Sequence, residues 1–374
     1  MKTKLLKLID VLFGKIVCLF LGYLDYSFNW SPKDASIKQP RNFLFIRPGG
    51  MGDFLYLLPV LAAVKKHFPQ ATIHVLAEKR NTAVKDLSSA IDKIILYDAH
   101  PFSTIANLRK AKYDVVIDTE QFHNFSAVFA YLTRCKVRIG FKTIPFRNHL
   151  YTHLIDYSLK GHEAGEFLRL LEPLGIKNEK ILLEGSISKE KMQNTTLPDI
   201  FTDLKNKYDS IIVVAPRGGD KYRYWAPQKY SEVIKHLLKD PKQAVVLAGT
   251  KNEKKIIQEI LGETPNAGAQ LISLAGKTSL LQAGRMLMES ELFIGCDSGI
   301  AILAIMLGTK SATIFGSTDE KKWAIESPDH LVIRKKFPCS PCYMLGSHKF
   351  CRKIDCMQKV EAEDVISAVE KLFS

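Results

Sequence analysis

The sequence predicts an α/β protein of two doubly wound, Rossmann-like domains facing each other across a cleft, preceded by an amphipathic N-terminal helix. Three observations predict this. Short apolar runs alternate with helix-length stretches from residue 42 onward, the pattern of a parallel sheet covered by helices. The alternation lapses in a polar, irregular stretch around 175–205 and restarts at residue 209. A chain of 374 residues exceeds one ordinary core and suits two. The expected divisions are an arm and linker over 1–40, a first domain over 41–190 and a second over 191–374.

The arm reads MKTKLLKLIDVLFGKIVCLFLGYLDYSF over 1–28. Lys7, Asp10 and Lys15 interrupt its apolar run, and no clean small-residue cleavage site follows. Both facts argue against a signal peptide, and the charges argue against a spanning helix of about 20 apolar residues. At helical spacing Lys4, Lys7, Asp10 and Lys15 share one arc, while Leu5, Leu8, Ile9, Leu12, Phe13, Ile16, Leu19 and Phe20 cover most of the rest. Such a helix suits a membrane interface; packing on the protein's own body is the alternative. The net charge of +14 points the same way, toward an anionic partner such as a phosphorylated ligand or a membrane surface. A solvated, lysine-rich surface is the bland reading. No basic run or nucleic-acid motif is present, so nucleic acid is not an expected partner.

In the first domain, strands are expected at 42–47, 72–77, 92–97 and 113–118, with a helix from Phe54 to about His67. Ligands in such sheets bind at the carboxyl ends of strands, which places the turn Pro48-Gly49-Gly50-Met51-Gly52-Asp53 on the functional edge. Its glycines permit a tight turn and close approach of a ligand. The turn satisfies neither the dinucleotide fingerprint G-x-G-x-x-G nor the P-loop G-K-[ST]. On spacing alone Asp53 reads first as a cap of the following helix; a carboxylate aimed at a ligand is the alternative.

The second domain reads as strands at 209–216, 243–249, 270–276, 291–296 and 311–316, with helices near 228–238, 252–261 and 279–289. The loop 217–227 sets Arg217, Lys221 and Arg223 beside Trp225 and Pro227. Cations on a strand-end loop suit a diphosphate leaving group; a flexible basic loop is the alternative. Cys296-Asp297-Ser298-Gly299 follows a strand and opens a helix near Ile300, a place where Asp297, Ser298 and the first amides, including that of Gly299, meet an anion. A simply capped helix is the alternative. Cys339, Cys342, Cys351 and Cys356 form a compact set. Four thiolates at this spacing suit a structural zinc; reduced thiols and two disulfides are the alternatives. The last helix, about 361–373, is expected to cross back onto the first domain.

Two of these motifs carry a resemblance. Arg47-Pro48-Gly49-Gly50-Met51-Gly52-Asp53, with Pro59 six residues after the aspartate, resembles the opening motif of the heptosyltransferase family, glycosyltransferase family 9. Asp297-Ser298-Gly299 resembles its second hallmark, D-[ST]-G, and Phe315-Gly316-Ser317-Thr318-Asp319 followed by Trp323 resembles its F-G-P-T-D-P and W. Arg223-Tyr224-Trp225-Ala226-Pro227 is similar to a Lys-aromatic-Trp-Pro segment, with arginine in the lysine position. The resemblance implies the GT-B architecture and inverting transfer without a required metal or other cofactor. It implies that Asp53 is the general base, and that Gly50, Gly52 and Asp118 lie on the acceptor side, Asp118 facing the cleft. It also implies that Glu253 lies near a donor ribose and that the backbone of Thr278 meets an adenine. Glu253 as an ordinary helix-start carboxylate is the alternative. The implied donor is ADP-heptose and the implied acceptor a lipid A–Kdo-type glycolipid of the lipopolysaccharide inner core. That acceptor is reached by a cytoplasmic enzyme held at the inner membrane. Asp118-Thr119-Glu120 only loosely resembles the D-x-D metal motif of other glycosyltransferases. Two donor-side positions depart from the family: Arg223 stands where a lysine is usual, with one residue inserted in that segment, and Ile302 stands where a histidine is usual.

Overall fold

The computed structural model describes residues 9–28, 38–98, 101–177, 183, 185–217, 221–344, 347–348, 351 and 353–374. The chain divides into two compact units, Met1–Ser186 and Ile187–Ser374.

The first unit begins with a wide helical turn, Asp10–Gly14, that runs into α1 (Lys15–Phe28). Then come β1 (Asn42–Ile46), α2 (Met51–His67), β2 (Thr72–Ala77), β3 (Lys93–Leu96), α3 (Pro101–Lys110), β4 (Val115–Asp118), α4 (Asn124–Leu132), β5 (Val137–Lys142), α5 (Pro145–Asn148), β6 (His153–Asp156) and α6 (Glu163–Arg169). The six strands are all parallel, in the order β3-β2-β1-β4-β5-β6. β1 is apolar on both faces because helices cover both, and Phe43, Leu44, Phe45 and Ile46 are all buried. The chain leaves β1 for β2 and β3 on one side, then returns to β4 on the other. The crevice at this reversal, above Ile46 and its register partner Asp118, is where doubly wound sheets take ligands.

The second unit repeats the plan with α7 (Lys189–Gln193), α8 (Asp199–Lys207), β7 (Ser210–Ala215), α9 (Pro227–Leu237), β8 (Gln243–Leu247), α10 (Lys254–Gly262), β9 (Leu271–Ser273), α11 (Leu280–Met288), β10 (Leu292–Cys296), α12 (Gly299–Leu307), β11 (Lys310–Ile314), α13 (Glu320–Trp323) and β12 (His330–Ile333). A two-stranded hairpin, Tyr343–Met344 with Ser347–His348, and two helices, α14 (Asp355–Gln358) and α15 (Ala362–Phe373), follow. The parallel order is β12-β11-β10-β7-β8-β9. The reversal falls between β7 and β10.

Three strands lie outside the pattern read from the sequence. β5 carries Arg138 and Lys142 among its apolar residues, and β6 and β12 are four-residue edge strands. Short edges bury too little to show a period. The last helix also departs from expectation. Val365, Ile366, Val369 and Leu372 of α15 are buried in the second unit's own core, a burial of roughly 1.5–3 kcal/mol per side chain. Around it, Trp225 Nε1 donates to Val360 O at 2.8 Å and Lys310 Nζ to Leu372 O at 2.7 Å. With its apolar stripe filled there, α15 belongs to the second unit rather than crossing to the first.

The N-terminal helix combines both readings of the arm. Its inner face packs on α4 and α5: Cys18 is fully buried with Val17 and Leu21 against the first unit's core. A Cβ on Gly14 would come within 2.6 Å of Asn124 Cβ, so only glycine allows this approach. Its outer face leaves Leu12, Phe13, Ile16, Leu19, Phe20 and Tyr23 at least half exposed. Asp10 is not on a solvated stripe, as expected, but buried beneath the helix, because its carboxylate accepts the amides of Asn124 and Phe125. Lys4, Leu5, Lys7 and Leu8 lie outside the described residues. No described helix is long and apolar enough to cross a membrane.

Candidate active site

Asp53 occupies the third position of α2, whose N-cap is Gly50. Gly50, not Asp53, is therefore the cap residue, and Asp53 lies in the first turn, where a carboxylate faces the positive end of the helix. The helix starts at Met51 rather than at the expected Phe54. Arg47, the residue after β1, points its Nη2 to 3.7 Å from Asp53 Oδ2 and 2.5 Å from Glu120 Oε1. Arg47 is 2% exposed and Glu120 fully buried. Burial disfavours the guanidinium's charge, but Glu120 first, then Asp53, Glu163 and Asp118, outweigh it and keep Arg47 cationic. This ion pair explains Gly49. A Cβ there would stand 2.1 Å from Arg47 Nη2 and 2.9 Å from Glu120 Oε1. Asn81 Nδ2 holds the loop by donating to Gly49 O at 2.8 Å and Arg47 O at 3.3 Å.

Asp118 ends β4 beside this pair but does not face outward. It is fully buried. Its Oδ2 accepts Tyr151 OH at 2.6 Å and Arg147 Nη2 at 3.2 Å, and its Oδ1 accepts the Glu120 amide at 3.0 Å. The expectation of an acceptor-facing Asp118 is therefore corrected: its oxygens are spent on holding the β4 turn. Thr119 and Glu120 are buried as well, so the segment forms no exposed metal motif. Arg147 is the counter-ion, fully buried, and also donates to Glu120 O at 2.9 Å and Ser126 Oγ at 3.2 Å. Deeper still, Glu163 accepts from Tyr157 OH at 2.8 Å and from Gln121 Nε2.

In the second unit Arg223 Nη1 donates to Asp297 Oδ2 at 3.1 Å, and its guanidinium lies 5.5 Å over the Tyr343 ring. The loop after β7 is thus tied to the turn after β10. Arg217 closes the base of that loop by bridging to Tyr224. Residues 218–220 of the loop lie outside the described residues. Lys221 is exposed, its ammonium 4.9 Å from the Tyr222 ring. Ser298 is the N-cap of α12 yet makes no side-chain cap bond. Its Oγ is buried without a hydrogen-bond partner, as are Ser317 Oγ and Thr318 Oγ1 after β11. Buried hydroxyls without partners are costly, and that of Ser298 immediately precedes the amides of Gly299 and Ile300, which a helix start leaves without internal acceptors. That set of donors suits an anion.

Residues 102–349 match the family model described as glycosyltransferase family 9 (heptosyltransferase), well over half of the chain. The chain belongs to glycosyltransferase family 9. It is 27% identical over 350 residues to lipopolysaccharide heptosyltransferase 3 of Escherichia coli K12, covering 86% of this chain and 95% of that one. It is 23% identical over 352 residues to lipopolysaccharide heptosyltransferase 1 of Campylobacter coli, covering 88% and 98%. Its fold matches E. coli ADP-heptose lps heptosyltransferase II with a TM-score of 0.67 at 17% identity over 88% of this chain and 98% of that one. It also matches the family 9 glycosyl transferase of Veillonella parvula, with 0.69 at 16% over 91% and 99%. The architecture is GT-B, and the activity at family level is glycosyl transfer.

The remaining family 9 positions sort by geometry. A Cβ added to Gly50 would meet Asp53 Oδ2 at an ordinary contact distance of 3.4 Å; Gly52 lies in the first turn of the same helix. Glu253 forms a capping box with Thr250 ahead of α10, its carboxylate accepting the Thr250 amide. The ordinary helix-start role is therefore what the structure assigns it. Thr278 precedes Ser279, the N-cap of α11. Ile302 is buried and lines an apolar hollow with Ala301, Ile305, Phe315 and Trp323, Asp297 at its edge. All four clustered cysteines are free thiols. Burial, then Cys342, Cys351 and Cys339, push the Cys356 thiol up to about 11, so the four sense one another. Yet among the described residues no three metal-ligating side chains converge. Arg47 and Glu120 are the site residues that motif reading missed. The available signal was a charge directly following a strand buried on both faces, which must find a partner.

Proposed function

We propose that this enzyme transfers a heptose from ADP-heptose to the inner core of lipopolysaccharide, on a lipid A–Kdo-type acceptor, with inversion. Asp53 takes the proton from the acceptor hydroxyl as that oxygen attacks the anomeric carbon. The bond to the diphosphate breaks, and the leaving charge falls to Lys221, Arg223 and the start of α12. Arg217, Asp297, Ser298, Gly299 and Thr278 complete the donor side. The observation that carries this reading is Asp53 itself: a partly exposed carboxylate in the first helical turn at a sheet's switch point, beside a buried arginine. The names of the relatives, lipopolysaccharide heptosyltransferases 3 and 1, support the donor and acceptor class. Ligand-linked stabilisation against ADP-heptose, ADP-glucose and UDP-GlcNAc tests the donor. ADP-heptose should raise Tm most, and a larger rise with another sugar nucleotide overturns the assignment. The buried Ile302 favours the second reading, a family member using a different nucleotide sugar, and the same panel decides it.

The outer face of the N-terminal helix, six large apolar side chains beside a chain of net charge +14, supports peripheral attachment at the cytoplasmic face of the inner membrane. Flotation with anionic vesicles should carry wild type, and Phe13→Ser with Phe20→Ser should remain in the soluble fraction. Equal flotation removes the helix from that role. The cysteines match structural Zn2+ in donor type and number, and a structural ion belongs to this reading, with no step of transfer passing through it. Protein purified under reducing conditions without bound zinc removes it.

A further inference from the structure

The helix that carries the exposed apolar face also reaches the proposed base from within. Asp10 Oδ1 accepts the Phe125 amide at 2.7 Å and Oδ2 the Asn124 amide at 3.0 Å. These are first amides of α4, whose own N-cap, His123, supplies no side-chain bond. A residue from another part of the chain therefore caps α4. His123 sits between two carboxylates, Nδ1 3.6 Å from Asp10 Oδ2 and Nε2 3.9 Å from Glu120 Oε2. The Glu120 oxygens are buried and accept no hydrogen bond, so charge alone compensates them: Arg47 on one side and His123 on the other. Arg47 then stands beside Asp53. The charges alternate in sign along the whole line.

We infer that Arg47 orients Asp53, and that His123 and Asp10 are positioning residues holding the Glu120–Arg47 pair, which makes the N-terminal helix part of the catalytic frame. The inference rests on Asp53 as the base. Burial disfavours the charged form of His123, but Glu120 and then Asp10 outweigh both burial and the opposing Arg47 and hold its pKa above the ordinary value. Protonated His123 supplies the positive charge between Asp10 and Glu120. The geometry of the turn agrees: Gly49 has no side chain because the Arg47–Glu120 pair fills that space, so a shift of the pair moves the loop that ends in Asp53.

The test uses the full-length enzyme, ADP-heptose and an O-deacylated, soluble inner-core acceptor, so that membrane attachment does not enter. His123→Gln and Asp10→Asn should each lower kcat on the order of tenfold, within what a small misplacement of a reacting group costs. Acceptor KM and donor Kd should stay unchanged. The double variant should be no slower than the slower single one, because both act on one pair. Arg47→Lys should retain more kcat than Arg47→Gln. Asp92→Asn is the matched control. That carboxylate accepts the Ile73 amide at 2.7 Å and pairs with Lys65 in the same unit, and its loss should lower Tm without changing kcat. If His123→Gln and Asp10→Asn keep wild-type kcat while Asp53→Asn is inactive, the positioning line is overturned and the base stands. If their kcat falls only in step with Tm, as any destabilised variant's would, the line is overturned too. An active Asp53→Asn overturns the reading beneath both.

Discussion

At the carboxyl ends of β1 and β4 the first unit buries Arg47, Glu120, Asp118 and Arg147, all at most 2% exposed and paired with one another. At the carboxyl ends of β7, β10 and β11 the second unit instead holds the Arg223–Asp297 pair beside hydroxyls of Ser298, Ser317 and Thr318 that have no partner. The two sheets share one strand order and one switch-point topology. Topology therefore decides where a ligand goes, and side-chain chemistry decides what is done to it. On the proposed reading the pre-paired ionic frame fixes one carboxylate, as proton transfer requires. Unspent donors keep their hydrogen-bonding capacity for a charged ligand.

This contrast can be broken at several points. Arg147→Ala leaves Asp118 buried without its cation and should cost about 3–5 kcal/mol of stability in urea denaturation; a loss below about 1 kcal/mol contradicts a pre-paired frame. Lys221→Ala with Arg223→Ala should raise the Kd for ADP roughly 10- to 100-fold, about 1.5–3 kcal/mol for charged hydrogen bonds, and should also lower stability, because Asp297 loses its cation. An unchanged Kd by titration calorimetry removes the phosphate role. Ser317→Ala should leave stability within about 0.5 kcal/mol, since its hydroxyl has no partner to abandon. It should weaken ADP binding by about 0.5–1.5 kcal/mol. A stability loss without a binding loss reverses the argument. The smallest effect is a pH dependence. His123 has a raised pKa in the fold, so its contribution is fully present below the ordinary histidine range. It is lost as pH rises through the raised value. The step in stability on that alkaline side should be absent in His123→Gln; an identical step in the variant assigns it elsewhere.

The parallel sheets were legible because their central strands are continuous apolar runs, such as Phe43–Ile46 and Ile211–Ala215. The short edges β6 and β12, each opening on a histidine, were not. Asp53 was legible as a position, but its partners were not. Arg47 and Glu120 lie far apart in sequence and meet only because β1 and β4 are neighbours in the sheet. For Asp118 the resemblance implied an outward-facing carboxylate, and its enclosure was not legible because Arg147 and Tyr151 come from a later helix and turn. Asp10 likewise reads as one member of a polar stripe, and only the close approach at Gly14 brings it to the start of α4.

The central claim is that the first unit supplies the base and the second the donor site. Asp53→Asn separates them in one preparation, measured by turnover with ADP-heptose and by calorimetric affinity for ADP. Turnover should fall by about 10²- to 10⁴-fold while the Kd for ADP stays at the wild-type value. Turnover within a few fold of wild type would contradict the claim.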